Sequence, residues 1–286
     1  MSACDPKPEW ATMFSGEDWP TFLEILETEI GRSIPGSKIH LQSGFAERNK
    51  QQFGFANVAA RCSQSPEESW GPIVSEHFAR LGAAATNLSP QLDAKRLSAM
   101  LKVRIYPNKG YNESTRGPKW PVADDMFACL VVDLPEMVKS LAEEELAILA
   151  MEPDAAFSLA LENVWSEEKV ERMQLKRDDN VIDALSGSGL FTTTHLFLLD
   201  RYLDEPQFGA FVAVPNRHHL FFHQIRDKRS FEVGGTMAEL AAVAYEQGPG
   251  SLSPELYWWD DGRLVALNDE DPPEDFLLHV IRPLAK

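Results

Sequence analysis

Leu101-Lys102-Val103-Arg104-Ile105-Tyr106 alternates apolar and polar side chains, and Met126-Phe127-Ala128-Cys129-Leu130-Val131-Val132-Asp133-Leu134 is apolar apart from one acid. Successive side chains of an extended chain leave opposite faces, so the first stretch predicts a half-buried strand and the second a central strand covered on both sides. Helical patterns follow directly. Ser140-x-x-Glu143 reads as a capping box for a helix through Ala150, and Pro153 opens another with Phe157, Ala160, Leu161 and Val164 on one stripe. This order predicts an α+β protein with a mixed or mainly antiparallel sheet covered by helices.

Downstream, the pattern predicts a strand pair over 170–175 and 180–185 and a helix over 189–203. Strands over 210–214 and 218–225 follow, then a helix from Thr236-x-x-Glu239 to Gln247. Asp260-Asp261-Gly262 reads as the turn of a hairpin between 256–259 and 263–267, with one ring of Trp258-Trp259 buried and the other exposed. Residues 276–281 supply a last strand.

Upstream, Asp18 caps a helix that carries Phe22, Ile25, Leu26 and Ile30 and closes at Gly31. Residues 38–45 and 51–59 pair as a hairpin, and Ser65-Pro66-Glu67-Glu68 caps a helix that ends at Gly82. The expected organisation is a flexible lead-in over 1–17, an αββα unit over 18–95 and a larger α+β unit over 96–286.

Composition limits the partners. The 286 residues carry 44 acids against 27 bases, a formal charge of −17. Acids outnumber bases in each third of the chain, which disfavours nucleic acid and anionic membranes, both of which select clustered cations. Cys4, Cys62 and Cys129 are too far apart for a CxxC metal pair or a disulfide framework. Reduced thiols, with no basic and apolar leader after Met1, fit a cytoplasmic protein.

The candidates for chemistry are few. The loop 107–121 carries Lys109, Arg116 and Lys119 against the single acid Glu113, together with Tyr111 and Trp120, and suits an anionic ligand or an acidic partner segment. His218, His219 and His223 include an HxxxH spacing, and His219 with His223 is the alternative as a metal pair. Their surroundings read as a strand, however, on which four residues span about 13 Å. Ser186-Gly187-Ser188-Gly189 fits neither GxSxG nor Walker A and reads as a strand-to-helix turn with free amides. No cofactor fingerprint appears.

The leading expectation is a non-catalytic module that binds a partner protein or a small anionic ligand through Lys109, Tyr111, Arg116, Lys119 and Trp120. The alternative is a hydrolase with a site assembled from distant residues, with the three histidines tested first; a third reading is an assembly protein with an exposed apolar patch.

Val103-Arg104-Ile105-Tyr106-Pro107, Ala128-Cys129-Leu130-Val131-Val132-Asp133, Ala160-Leu161-Glu162-Asn163-Val164 and Ala213-Val214-Pro215-Asn216-Arg217 occur in an order that resembles the YtpQ-like family of uncharacterised bacterial proteins. Phe55-Ala56-Asn57-Val58 is similar to that family's amino-terminal half. The resemblance covers residues 20–265 and departs in the loop 107–121. It implies a bacterial cytoplasmic protein and carries over no catalytic residue.

Overall fold

Phe22, Leu26 and Ile30 repeat every fourth residue and are buried on one face of α1 (Asp18–Ser33). The computed structural model describes residues 7–42, 44–48, 51–87, 93–109, 111, 115, 117–134, 137–187, 189–247, 250–267 and 272–285. It is an α+β fold whose chain divides into two compact units, Met1–Leu92 with Pro135–Met137, and Asp93–Leu134 with Val138–Lys286.

In the first unit, β1 (Lys38–His40), β2 (Phe45–Arg48) and β3 (Gln51–Gly54) form an antiparallel sheet in that order, followed by α2 (Ala56–Ser63) and α3 (Trp70–Asn87). The predicted hairpin is thus a three-stranded meander. Gly44, at φ +73° beneath the Trp10 ring, lies between the first two strands. The predicted strand over 51–59 ends early because Val58, Ala59 and Cys62 bury a helical stripe instead.

Neither Gly31 nor Gly82 terminates its helix. Gly82 lacks the Cβ that would press on Ser33 O at 2.7 Å, so it permits close packing of α3 on the end of α1. Asp18 is the first residue of α1 rather than its cap, and Ser15 Oγ accepts from the amides of Glu17 and Asp18. Ser65 Oγ donates to Arg61 O, so the helix enters through a 3-10 turn at Glu67–Ser69. The described part of the lead-in is packed: Phe14 stacks on Phe22 at 4.3 Å, and Trp10 Nε1 donates to Leu41 O at 2.7 Å.

The second unit begins with α4 (Ala94–Met100), capped by the Asp93 carboxylate on Arg96 N at 2.8 Å. β4 (Leu101–Pro107), β5 (Lys119–Ala123) and β6 (Met126–Leu134) form a sheet with β6 in the centre, and β7 (Met137–Ser140) also pairs with β6. The 140–150 helix is a short α5 (Glu143–Leu146) followed by a 3-10 turn at Ala147–Leu149. It is entered at Ala142, whose amide donates to the Glu145 carboxylate at 3.0 Å. α6 (Pro153–Glu167) starts at its proline as expected.

A six-stranded antiparallel sheet completes the unit. Its members are β8 (Glu171–Arg177), β9 (Asn180–Ser186), β10 (Ala210–Asn216), β11 (His219–Gln224), β12 (Leu256–Asp260) and β13 (Arg263–Ala266), in the order β13-β12-β10-β11-β9-β8. Val233, Met237 and Ala241 of α7 (Ser230–Gln247) pack on Ile182, Ala184, Phe211, Ala213 and Phe221.

Four expectations are corrected here. Thr236 lies inside α7 and caps nothing. Residues 276–281 are helical, because Phe276 and Val280 bury a period of four rather than two. Trp258 and Trp259 are both buried, because β12 is an inner strand covered on both faces. The helix over 189–203 is a kinked 3-10 helix, Thr192–Arg201. Its buried threonines disfavour a regular α-turn, and Thr194 Oγ1 donates to Val103 O at 2.8 Å.

Candidate anion-binding site

Period two places Leu101, Val103 and Ile105 on one face of β4 and Lys102, Arg104 and Tyr106 on the other. Register sets Arg104 beside Cys129 and Cys129 beside Lys119, so Arg104 and Lys119 share a face with their backbones about 10 Å apart. Tyr106 sits beside Phe127 on the same face.

The two cations of β4 have different surroundings. Lys102 is only 4% exposed, yet its Nζ donates to Asn163 O at 3.0 Å and pairs with Glu167. Arg104 has its guanidinium over the Tyr106 ring at 5.0 Å, and that ring lies between Tyr111 at 5.2 Å and Phe127 at 5.8 Å.

Arg217, in the turn after β10, lies within electrostatic range of Arg104, Tyr106 and Tyr111. Buried Asn216 fixes that turn: its Nδ2 donates to Ala244 O, and its Oδ1 accepts from His218 N at 3.0 Å. Arg217 N donates to Gly250 O at 3.1 Å, and the guanidinium lies against Gly250, where a Cβ would overlap Nε, Cζ and Nη2. Its Nε is buried and has no hydrogen-bond partner among the described residues. Burial first, and the Arg104 charge second, push the guanidinium down to about 10, while Tyr111 and Tyr106 oppose the shift. It still carries its charge at neutral pH. Among the described residues neither Arg104 nor Arg217 forms an ion pair with a carboxylate.

The cluster runs from surface to core. Tyr111 is exposed; Arg104, Tyr106 and Arg217 are half-buried; Phe127 and Cys129 form the floor. Burial pushes the Cys129 thiol up to about 12, despite the opposing charges of Arg104 and Lys119. It therefore stays protonated and is no nucleophile.

Of the predicted contact residues, the structure brings Tyr111 and Lys119 into this cluster; the Lys119 ammonium lies over the Phe127 ring at 5.4 Å. Trp120 faces the other way. Its Nε1 donates to Asp154 at 3.0 Å and its ring packs on Phe157 at 4.5 Å. Lys109 lies two residues past the end of β4, and Arg116 lies outside the described residues.

The histidines stay apart. His218 Nδ1 contacts Gly187 O, His219 Nδ1 contacts Asn216 Oδ1, and His223 contacts Val181 O and Ser230 Oγ. Burial lowers the pKa of all three. His219 and His223 lie on β11, a strand, so the structure does not bring them together as the alternative metal pair requires. The glycine turn after β9 is already filled by an internal carboxyl group. The Glu168 carboxylate fills the space beside Gly189 and accepts from Phe191 N, while Thr192 closes against Gly187; Ser188 lies outside the described residues.

A cleft of about 410 Å³ beside β8, β9 and β11 also contains arginines, but each is engaged: Arg172 with Asp183, Arg201 with Glu162 and the Trp165 ring, Arg226 with Gln224.

Arg104 and Arg217 were not among the residues expected to form a site. Arg104 reads as the solvent side of an alternating strand and Arg217 as a turn residue. The available signal was Lys102, Arg104 and Tyr106 in alternation, which collects cations and an aromatic ring on one face. Among the described residues, no helix is long and apolar enough to cross a membrane. No family model, curated protein or solved structure matches the chain.

Proposed function

We propose that the protein is a non-catalytic module that binds a small anionic ligand through Arg104 and Arg217, with Tyr111 and Lys119 at the margin. The observation that carries this reading is the Arg217 guanidinium, seated on Gly250 with a buried, unpartnered Nε and a second arginine rather than an acid as its main charged neighbour. A half-buried guanidinium with an unpartnered Nε is costly, and a like charge within electrostatic range adds repulsion; a bound anion would relieve both. The protonated Cys129 thiol beside Arg104 favours binding over covalent catalysis. Membership of the YtpQ-like family and a cytoplasmic location belong to the same reading; the motifs at 103–107 and 213–217 support the first and the free thiols of Cys62 and Cys129 the second.

The experiment is a thermal melt of the wild type, Arg104→Met and Arg217→Met against phosphate, sulfate and acetate at constant ionic strength. The reading expects at least one anion to raise the wild-type midpoint and neither variant to respond. An equal response in the wild type and Arg217→Met overturns it.

A further inference from the structure

Three strands of the six-stranded sheet set a row of side chains along one side of the cleft of about 410 Å³. Gln174 of β8 is the register partner of Asp183 of β9, and Asp183 that of Phe222 of β11, so an amide, a carboxylate and a ring stand side by side on the face opposite α7. We infer that this cleft binds an uncharged saccharide through hydrogen bonds to Arg172, Gln174 and Asp183, with the Tyr202 ring as its apolar contact. None of the lining residues belongs to the anion site, so the inference goes beyond that reading and does not rest on it.

The wall formed by residues 201–204 is held at both ends. Gln224, two residues past Phe222 and on the same face, donates through Nε2 to Asp204 O at 2.6 Å and accepts from Asp204 N through Oε1 at 3.0 Å. Arg201 pairs with Glu162 at 2.7 Å and stacks on the Trp165 ring at 4.5 Å. Between them, the Tyr202 hydroxyl is turned onto His195 Nδ1 at 2.7 Å. His195 is buried and lies outside the lining, so Tyr202 gives the cleft its ring and not its hydroxyl. A cleft fixed in this way needs little reordering on binding, and its volume falls in the range of small-molecule sites, about 300–1,000 Å³.

Charge balance selects an uncharged ligand. Asp183 offsets Arg172, Glu162 offsets Arg201, and the remaining acid and base of the lining, Asp204 and Arg226, are opposite in sign. Neither an anion nor a cation gains net attraction there.

Hydrogen-bonding capacity remains in both senses. Among the described residues Arg172 uses only Nε, on Asp183 Oδ1 at 3.2 Å, which leaves the N–H groups of both Nη atoms as donors and Asp183 Oδ2 as an acceptor. The exposed Gln174 carboxamide, both donor and acceptor, has no side-chain partner among the described residues. Planar groups of this kind bond two atoms at once, which matches neighbouring hydroxyls on a sugar ring. The Arg172 guanidinium lies over the buried Phe222 ring at 5.4 Å, so the floor presents a hydrogen-bonding plane and no bare aromatic slot for a flat base. The Tyr202 ring, 6.0 Å from Phe222, supplies the apolar patch for the C–H face of the sugar.

The test is saturation-transfer NMR and calorimetric titration of the full chain at pH 7.5 with glucose, galactose, N-acetylglucosamine, maltose and cellobiose, and with adenine and glycine as a flat base and a zwitterion. The inference expects at least one saccharide to bind, with an affinity that changes less than about twofold between low and high salt, because no ion pair forms with the ligand. Gln174→Ala should weaken that binding at least about fivefold and leave the melting temperature unchanged, since the side chain makes no internal bond. Asp183→Asn should weaken it as well. Absence of binding by every saccharide, or saccharide binding unchanged in both variants, overturns the site. Adenine or glycine binding tighter than every saccharide, or a steep loss of saccharide affinity with salt, overturns the ligand class. Phosphate response in Arg217→Met is read separately, so failure here leaves the anion reading standing.

Discussion

The Arg217 guanidinium occupies the space that any side chain on Gly250 would need, and Gly250 holds φ at +71° to present its bare backbone there. Gly250→Ala therefore meets two obstacles, a strained backbone and a collision with a charged group. We expect a loss of about 1–3 kcal/mol in denaturant unfolding, together with loss of the anion response. An alanine variant that keeps its anion affinity would show that Arg217 binds from another position.

Arg104→Met separates stability from binding. It removes the stack on Tyr106, worth about 0.5–1 kcal/mol, and also removes the repulsion felt by Arg217, so the two effects offset. The ligand-free variant should melt close to the wild type and yet show no rise with phosphate. A large loss of ligand-free stability would mark Arg104 as structural.

Trp120→Ala should do the reverse. The indole packs on Phe157 and donates to Asp154, away from the arginine pair, so truncation should cost about 1–3 kcal/mol and leave anion affinity unchanged. Titration of the folded variant checks the second half of the claim.

Acid sensitivity follows from the histidines. Burial lowers His195 to about 4, and the pKa values of His77, His218, His219 and His223 move down from 6.5 in the same direction. Between pH 6.5 and 4 the unfolded chain therefore binds protons that the folded chain refuses, and stability falls as pH drops through that window. Tyr202 OH lies 2.7 Å from His195 Nδ1, and a neutral imidazole can accept from it. His195 alone contributes at most about 3 kcal/mol to this loss. His195→Asn should flatten the pH profile of the melting temperature between 4 and 6; an unchanged slope would assign the acid sensitivity elsewhere.

Burial also holds the thiols of Cys62 and Cys129 up, at about 11 and about 12. Iodoacetamide at pH 8 should therefore spare both in the folded protein and label both after unfolding, as read by peptide mass. Labelling of native Cys129 would show that the floor of the anion site opens to solvent.

Period-two strands were the most legible part of the sequence. Leu101–Pro107, Met126–Leu134 and the turn at Asp261 and Gly262, with φ of 45° and 85°, all follow from local pattern. Caps were less so, because Ser65, Ser140 and Thr236 satisfy a spacing rule that other contacts override. Short apolar runs such as 51–59 and 276–281 are ambiguous between periods until burial decides which face they present. The site was legible only at Tyr111 and Lys119. Arg104 and Arg217 are 113 positions apart in the chain, and only the tertiary fold brings their charges within range of each other.

Among the described residues β8 pairs with β9 alone and forms one border of the six-stranded sheet. Its two ends carry Glu171 with Arg172 and Lys176 with Arg177, all exposed, while Met173 and Leu175 turn toward the core. A strand approaching that border from another molecule would have to accommodate ionic side chains at both ends of the register, a recognised guard against edge-to-edge association. A border guarded by ionic side chains in this way is a poor template for fibrils.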